Sequence, residues 1–163
     1  MSKYDSLAGT SASLPVMETL DLLVDGVPTV TVPAAGDYTY IARVIITLRF
    51  DTSTLTWTEF ADETALTNGW YMRYNGIDLG VGAPIKNNGD LFRYGYDVNI
   101  ESDAVATPNK VVSARWSFNK WTPHGLGMFY SDDVFEFVVQ DDMTALTTVD
   151  ELSATVQGWK AHP

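Results

Sequence analysis

Apolar residues recur at every second position along one central segment of the chain. Between Tyr40 and Phe50 the odd positions include Arg43, Thr47 and Arg49. Because successive side chains of a β-strand point to opposite faces, the pattern predicts a strand with one face toward a core and one mostly toward water. The predicted core face consists of the even positions Tyr40, Ala42, Val44, Ile46, Leu48 and Phe50.

Similar alternation, bounded by turn-forming residues, appears along most of the remaining chain. Asn75-Gly76 is the clearest hairpin signal, because both residues tolerate the positive φ of a tight turn. The segment 58–66 reads as a short helix or an irregular loop, and 16–24 as a strand or a short helix. Further strands are predicted at residues 27–32, 70–74, 77–81, 92–100, 112–118, 135–139 and 152–156.

This series of seven or eight strands predicts the fold class. Short strands separated by regular turn signals, with no competing helical pattern, are typical of an antiparallel β-sandwich or a jelly roll. A chain of 163 residues is expected to form one domain. Residues 1–15 are small and polar and predict a flexible N-terminal arm, followed by a single jelly-roll-like β-sandwich domain over residues 16–163.

The composition excludes several classes of function. The chain has no cysteine, which rules out disulfides, thiolate catalysis and cysteine-based zinc sites. Its formal net charge of −11 disfavours direct binding to nucleic acid or to anionic membranes. No stretch approaches the ~20 apolar residues of a membrane helix, and the first residues lack the apolar region of a signal peptide. Synthesis in the cytoplasm of the producing cell, without conventional export, is therefore expected.

The chain has two histidines that could take part in catalysis. His124 lies in a Pro-His-Gly loop with no recognisable nucleophile nearby, and His162 is one of the last three residues. A catalytic triad needs positioned partners, so a turn histidine is the better interpretation of His124. No phosphate-binding loop, dinucleotide fingerprint or paired-histidine metal motif occurs. The sequence therefore predicts no catalytic residue, no metal ligand and no cofactor.

Acidic residues concentrate toward the C-terminus. Seven acidic residues and no Lys or Arg lie between Trp121 and Trp159. This segment predicts either a solvated surface or a patch facing a basic partner or cations, and the first is favoured because net charge acts first on solubility. The pairs Asp132-Asp133 and Asp141-Asp142 are the best candidates for calcium, or for the two carboxylates of a glycoside hydrolase. Adjacent aspartates more often cap turns, so that interpretation is preferred.

The five tryptophans fall into two groups. Trp70 and Trp116 lie on the apolar faces of predicted strands and are expected in the core. Trp57, Trp121 and Trp159 are off that register and are the candidate interface residues, since aromatic side chains are enriched at protein interfaces. The same aromatic content leaves open a sugar-stacking surface.

Three segments taken together show a family resemblance: TALTNGWYMRYNG at 64–76, PIKNNGDL at 84–91, and the region 135–159 that begins FEFVVQDDMTAL and ends VQGW. With the preceding YIARVIITLRFD strand, their order resembles small all-β structural proteins of bacteriophage particles, of the type that decorate or complete a capsid. The resemblance spans about residues 37–160 and rests on turns and strands, with no active-site residues to transfer.

The resemblance implies a non-enzymatic virion protein that binds copies of itself, as a trimer or a larger ring, and other virion proteins. A tail or baseplate location fits the same segments. A carbohydrate-binding or host-receptor-binding β-sandwich is the alternative that the aromatic residues support, and a hydrolase using the aspartate pairs or His124 is the third hypothesis.

Overall fold

The computed structural model describes residues 13–26, 29–31, 38–51, 55–79, 84–94, 97–103, 109–118, 126–128 and 133–161. These residues form ten strands rather than the seven or eight predicted, one short α-helix and one 3₁₀ turn. The elements are β1 (Ser13–Asp21), β2 (Thr29–Thr31), β3 (Tyr38–Asp51), β4 (Trp70–Tyr74), β5 (Ile77–Asp78), α1 (Asn88–Tyr94), β6 (Asp97–Asp103), β7 (Asn109–Ser117), β8 (Leu126–Met128), β9 (Phe135–Val139), a 3₁₀ turn (Met143–Ala145) and β10 (Val149–Ala161).

The strands form two antiparallel sheets. The larger sheet has the order β1-β10-β3-β7-β6, with β8 paired to the first part of β3. The smaller sheet has the order β2-β9-β4-β5. Apolar residues from both sheets belong to a single core, so the predicted class, an all-β sandwich, is confirmed.

The strand pairings are nested along the chain. The first strand pairs with the last, β1 with β10, and the next pairs inward are β2 with β9, β3 with β7, and β4 with β5. The central strands are β3 and β10 in the larger sheet and β9 and β4 in the smaller one.

Alternating burial confirms most of the predicted strand faces. Along β3 the residues Val44, Ile46, Leu48 and Phe50 are all fully buried. Trp70 and Trp116 are also buried, as predicted, and the strands over 70–74 and 135–139 have the predicted bounds. The Asn75-Gly76 hairpin is confirmed too, with φ of 49° and 75° at the two turn residues.

The predicted face of β3 is wrong at its first residues. Arg43 pairs with Gln157, yet Ile41 pairs with Gly158, so Ala42 is an extra residue on β3, a β-bulge. The bulge shifts the alternation by one residue. Ile41 consequently belongs to the core cluster, whereas Tyr40, although buried, pairs with Trp159 on the opposite face of the sheet.

The predicted strand over 92–100 is wrong in its first part. The chain forms α1 there and begins β6 only at Asp97. The Asn87 carboxamide oxygen accepts a hydrogen bond from the Asp90 amide at 2.9 Å, and the Asp90 carboxylate accepts one from the Lys86 amide at 2.9 Å. These bonds cap the first turn of a helix, and Leu91 anchors the helix in the core.

The structure also decides the secondary structure of the two segments that the sequence left open. Residues 16–24 are a strand as far as Asp21, and 58–66 form an irregular loop in which Phe60 bridges Glu63. The return strand predicted over 77–81 ends at Asp78.

Because β1 begins at Ser13, the last three residues of the predicted arm lie in a strand, and the first twelve residues lie outside the described part of the chain. No helix among the described residues is long and apolar enough to cross a bilayer.

Candidate interaction surfaces

One face of the larger sheet carries aromatic, sulfur and guanidinium side chains side by side. Trp159 on β10 stacks on Tyr40 of β3, with ring centroids 5.8 Å apart and an angle of 21° between the rings. One step along the strands, Met17, Gln157 and Arg43 lie in register across β1, β10 and β3. We call these five residues the aromatic–arginine patch.

Gly158 explains why Trp159 stacks on Tyr40. A Cβ atom at position 158 would overlap the carbonyl oxygen of Tyr40 and come within 3.1 Å of the Ile41 Cα. Only glycine therefore allows β10 to approach the bulged part of β3 this closely. The bulge and the glycine together place the two aromatic rings next to each other on the outer face of the sheet.

The exposed groups of the aromatic–arginine patch are of the types enriched at protein interfaces. Met17 is 69% exposed and Arg43 is exposed, whereas Trp159 is only partly exposed and Tyr40 is buried, with 7% of its surface accessible. Trp, Tyr, Met and Arg are enriched in interfaces relative to the remaining surface. Arg43 forms no hydrogen bond or ion pair with any other described residue. The patch thus offers an arginine that has no partner among the described residues, beside apolar surface, on a protein of net charge −11.

Trp57 is a second exposed aromatic residue. Its side chain is 57% exposed, but its backbone is held firmly, since its carbonyl accepts a hydrogen bond from the Gly89 amide at 2.9 Å. The neighbouring Thr56 carbonyl accepts one from the Asn88 carboxamide at 2.8 Å. No described contact joins Trp57 to Trp159.

Four residues considered in the sequence cannot be placed. Trp121, the third candidate interface residue, lies outside the described residues, as do His124, Asp132 and His162.

The described aspartates of the two acidic pairs bind nearby amides. Asp141 accepts hydrogen bonds from the amides of Asn68, at 2.9 Å, and Gly69, at 2.5 Å. Asp142 accepts bonds from the amide and hydroxyl of Thr144, and these bonds lower the pKa of the exposed Asp142 carboxyl below its usual value. Asp133 accepts a bond from the Asn75 carboxamide at 2.7 Å. Their geometry supports the turn interpretation.

Arg73 is the centre of a polar cluster on the outer face of the smaller sheet. Its guanidinium donates to Asp78 at 3.0 Å and lies over the Tyr71 ring, and Glu136 is 3.9 Å away. The hydrogen bond to Asp78 is the main reason that the pKa of Arg73 is raised. The contacts of Arg73 with Tyr71, Asp78 and Glu136 link the strands β4, β5 and β9.

The positions of the described acidic side chains bear on metal binding and on hydrolysis. No three His, Asp or Glu side chains converge on a possible metal position in the part of the chain that is described. Asp141 and Asp142, the intact acidic pair, point their carboxylates at two different turns.

Two features went unrecognised in the sequence. The bulge at Ala42 breaks the alternation that predicted Tyr40 in the core, and only the unusual Gly158 in the closing strand signals it. Asn88 is fully buried and joins α1 to the loop before it through three hydrogen bonds. The adjacent Asn87 and Asn88 read as turn residues, and nothing in the sequence indicates that one of them is buried.

No protein-family model, no curated protein and no solved structure matches this chain.

Proposed function

We propose that this chain is a non-enzymatic structural subunit of a bacteriophage particle, a capsid decoration or minor capsid protein with a jelly-roll fold. The nested strand pairing carries the proposal. A jelly roll is a double ribbon wound into two sheets, and it is a recurrent fold of viral capsid and lectin domains. The pairs β1–β10, β2–β9, β3–β7 and β4–β5 support that topology.

The surface of the domain supports a role by contact. The aromatic–arginine patch has the composition of an interface, and the described carboxylates of the acidic pairs are engaged by turns. Virion subunits repeat symmetrically, so a single weak contact is multiplied over the assembly. In this proposal the chain binds copies of itself and other virion proteins, without direct contact with nucleic acid or membrane.

Absolute mass in solution tests the self-association. Light scattering coupled to size-exclusion chromatography, over a range of concentrations, should give a discrete trimer or a larger closed ring. A strict monomer at all concentrations would contradict the self-association. Density-gradient particles from the producing host should contain the chain at a fixed ratio to the other particle proteins. Absence of the chain from those particles would contradict the virion role.

A carbohydrate-binding or receptor-binding module is the second candidate, because Trp57 holds an exposed indole on a rigid backbone. Lectin domains also use jelly rolls. A glycan array probed with the wild type and with Trp57→Ala distinguishes the two functions. Binding that Trp57→Ala abolishes would favour this candidate, and no binding to any glycan or host cell would remove it.

A further inference from the structure

We propose that the aromatic–arginine patch binds the acidic end of a second copy of this chain, which would join the subunits head to tail. The inference rests on the proposed self-association and names the two surfaces that meet. We define the acidic end by five residues near the last residues of β3 and the first residues of β10: Asp25, Asp62, Glu63, Asp142 and Asp150.

Hydrogen bonds gather the acidic end from distant parts of the sequence. The Met143 amide donates to the Val24 carbonyl at 3.3 Å, which brings the Asp25 loop beside Asp142. The Thr148 amide donates to the Glu63 carboxylate at 2.7 Å, next to the start of β10. Three members of this end are exposed: Asp25, Asp142 and Asp150.

The two surfaces lie at opposite ends of the larger sheet. Arg43 is near the start of β3, whereas Asp51, the last residue of β3, donates its amide to Thr148 beside the acidic end. Asp51 follows Arg43 by eight residue steps along the strand, a distance of roughly 27 Å at the rise of a β-strand. Surfaces at opposite ends of one subunit cannot neutralise each other, so they are available to neighbouring copies.

Charge complementarity identifies the occupant. The acidic residues of the larger sheet take other register positions: Glu151 pairs with Arg49, Asp21 with Ser153 and Asp51 with Asn109, and Asp97, Glu101 and Asp103 are on the edge strand β6. None of these pairs in register with Arg43, whose strand neighbours are Gln157 and Ser117. The exposed carboxylates of the acidic end, on a second copy, supply the charge that complements Arg43, and such a heterologous contact gives closed rings or filaments.

Arg43→Glu tests the patch, and Arg49→Glu is its matched control. Both arginines are exposed on the same face of β3, roughly 20 Å apart. Arg43→Glu should weaken self-association at least tenfold by sedimentation equilibrium in low salt, and Arg49→Glu should not weaken it. Wild-type association should also fall as salt rises, because ions screen exposed charges. Equal effects of the two variants would overturn the proposal while leaving self-association intact.

A mixing experiment tests the head-to-tail geometry. Met17→Glu/Arg43→Glu removes the patch and keeps the acidic end, and Asp25→Lys/Asp150→Lys does the reverse. Each variant alone should be monomeric, and an equimolar mixture should form dimers through the one intact pair of surfaces. Circular dichroism and thermal midpoints establish that both variants fold. Persistent oligomers of either variant alone, or a mixture that stays monomeric, would overturn the proposal, and a monomeric wild type would overturn the proposed function with it.

Discussion

The indole of Trp70 meets the indole of Trp116 edge to face, with ring centroids 6.4 Å apart and an angle of 73° between the rings. Trp70 belongs to β4 of the smaller sheet and Trp116 to β7 of the larger one. Phe137 of β9 packs on the other side of Trp70 at 6.4 Å. This aromatic group therefore connects the two sheets at the centre of the sandwich, where the free energy of folding depends most on packing.

Trp116→Ala should destabilise the domain by about 3–5 kcal/mol, because it leaves a large cavity beside Trp70. Urea unfolding followed by circular dichroism measures the loss. Trp57→Ala is the control, because it is the same substitution at an indole that is 57% exposed. This variant should change the free energy of unfolding by less than about 0.5 kcal/mol. A loss below about 1 kcal/mol for Trp116→Ala would contradict its place at the sheet contact.

Strand alternation was sufficient to predict the sheet faces wherever the pairing is regular. Residues 44–50 and 112–118 alternate as predicted, because a two-residue period follows directly from strand geometry. The predicted face was wrong for Tyr40, although the residue is buried as predicted, since a bulge depends on the approach of β10, which is distant in sequence. The prediction failed for residues 92–94 because the seven-residue helix that includes them spans only two turns, too few to show a helical period.

The candidate surfaces were predictable to a smaller degree. Aromatic residues off the strand register marked Trp57 and Trp159 correctly as lying outside the core cluster. The partners of Trp159 in the aromatic–arginine patch come from β1 and β3, and their registers are set by pairing across the whole chain. Local sequence patterns do not contain that information.

Asn88→Ala should cost about 3 kcal/mol, since the buried carboxamide makes three hydrogen bonds of roughly 1 kcal/mol each. Its oxygen accepts from the Ala61 amide at 2.9 Å, and its nitrogen donates to the carbonyls of Ala61 and Thr56. These bonds hold Ala61 at a φ of 56°.

The neighbouring Asn87→Ala is the control for Asn88→Ala. It removes only the helix cap on Asp90 and should cost about 1 kcal/mol. Chemical denaturation of both variants gives the comparison. If the two losses were equal, the buried bonds of Asn88 would not be the main link between α1 and the loop.

The Asp142 carboxylate should stabilise the domain only above acidic pH. Its bonds to Thr144 lower its pKa in the folded state, so its contribution is complete above the usual aspartate pKa of about 3.9 and is lost as the pH falls through the lower folded value. Asp142→Asn keeps a capping side chain and removes the charge.

Urea unfolding of the wild type and Asp142→Asn at a series of pH values measures this effect. The wild type should be more stable above about pH 5, and the difference should close below about pH 4. Asp150→Asn controls for the loss of one negative charge from the acidic end. A difference that widens toward low pH would have the wrong sign for a lowered pKa.

Gly158→Ala tests whether the β-bulge at Ala42 depends on close contact between two strands. The new Cβ would overlap the Tyr40 carbonyl oxygen, and because both contact partners are backbone atoms neither can rotate away. Overpacking of this kind costs about 1–3 kcal/mol, and we expect the upper part of that range. The variant should also disturb the Trp159–Tyr40 stack, which near-ultraviolet circular dichroism and tryptophan fluorescence detect.

Gly76→Ala separates this steric effect from the general cost of replacing a glycine. Gly76 has a φ of 75°, but a Cβ atom there meets no other atom within 4 Å, so its substitution introduces backbone strain of about 1–2 kcal/mol without a collision. Gly158→Ala should therefore be the more destabilising change and the only one of the two that alters the aromatic signal. A milder loss than that of Gly76→Ala, with the aromatic signal unchanged, would mean that β10 adjusts freely and that the bulge has another cause.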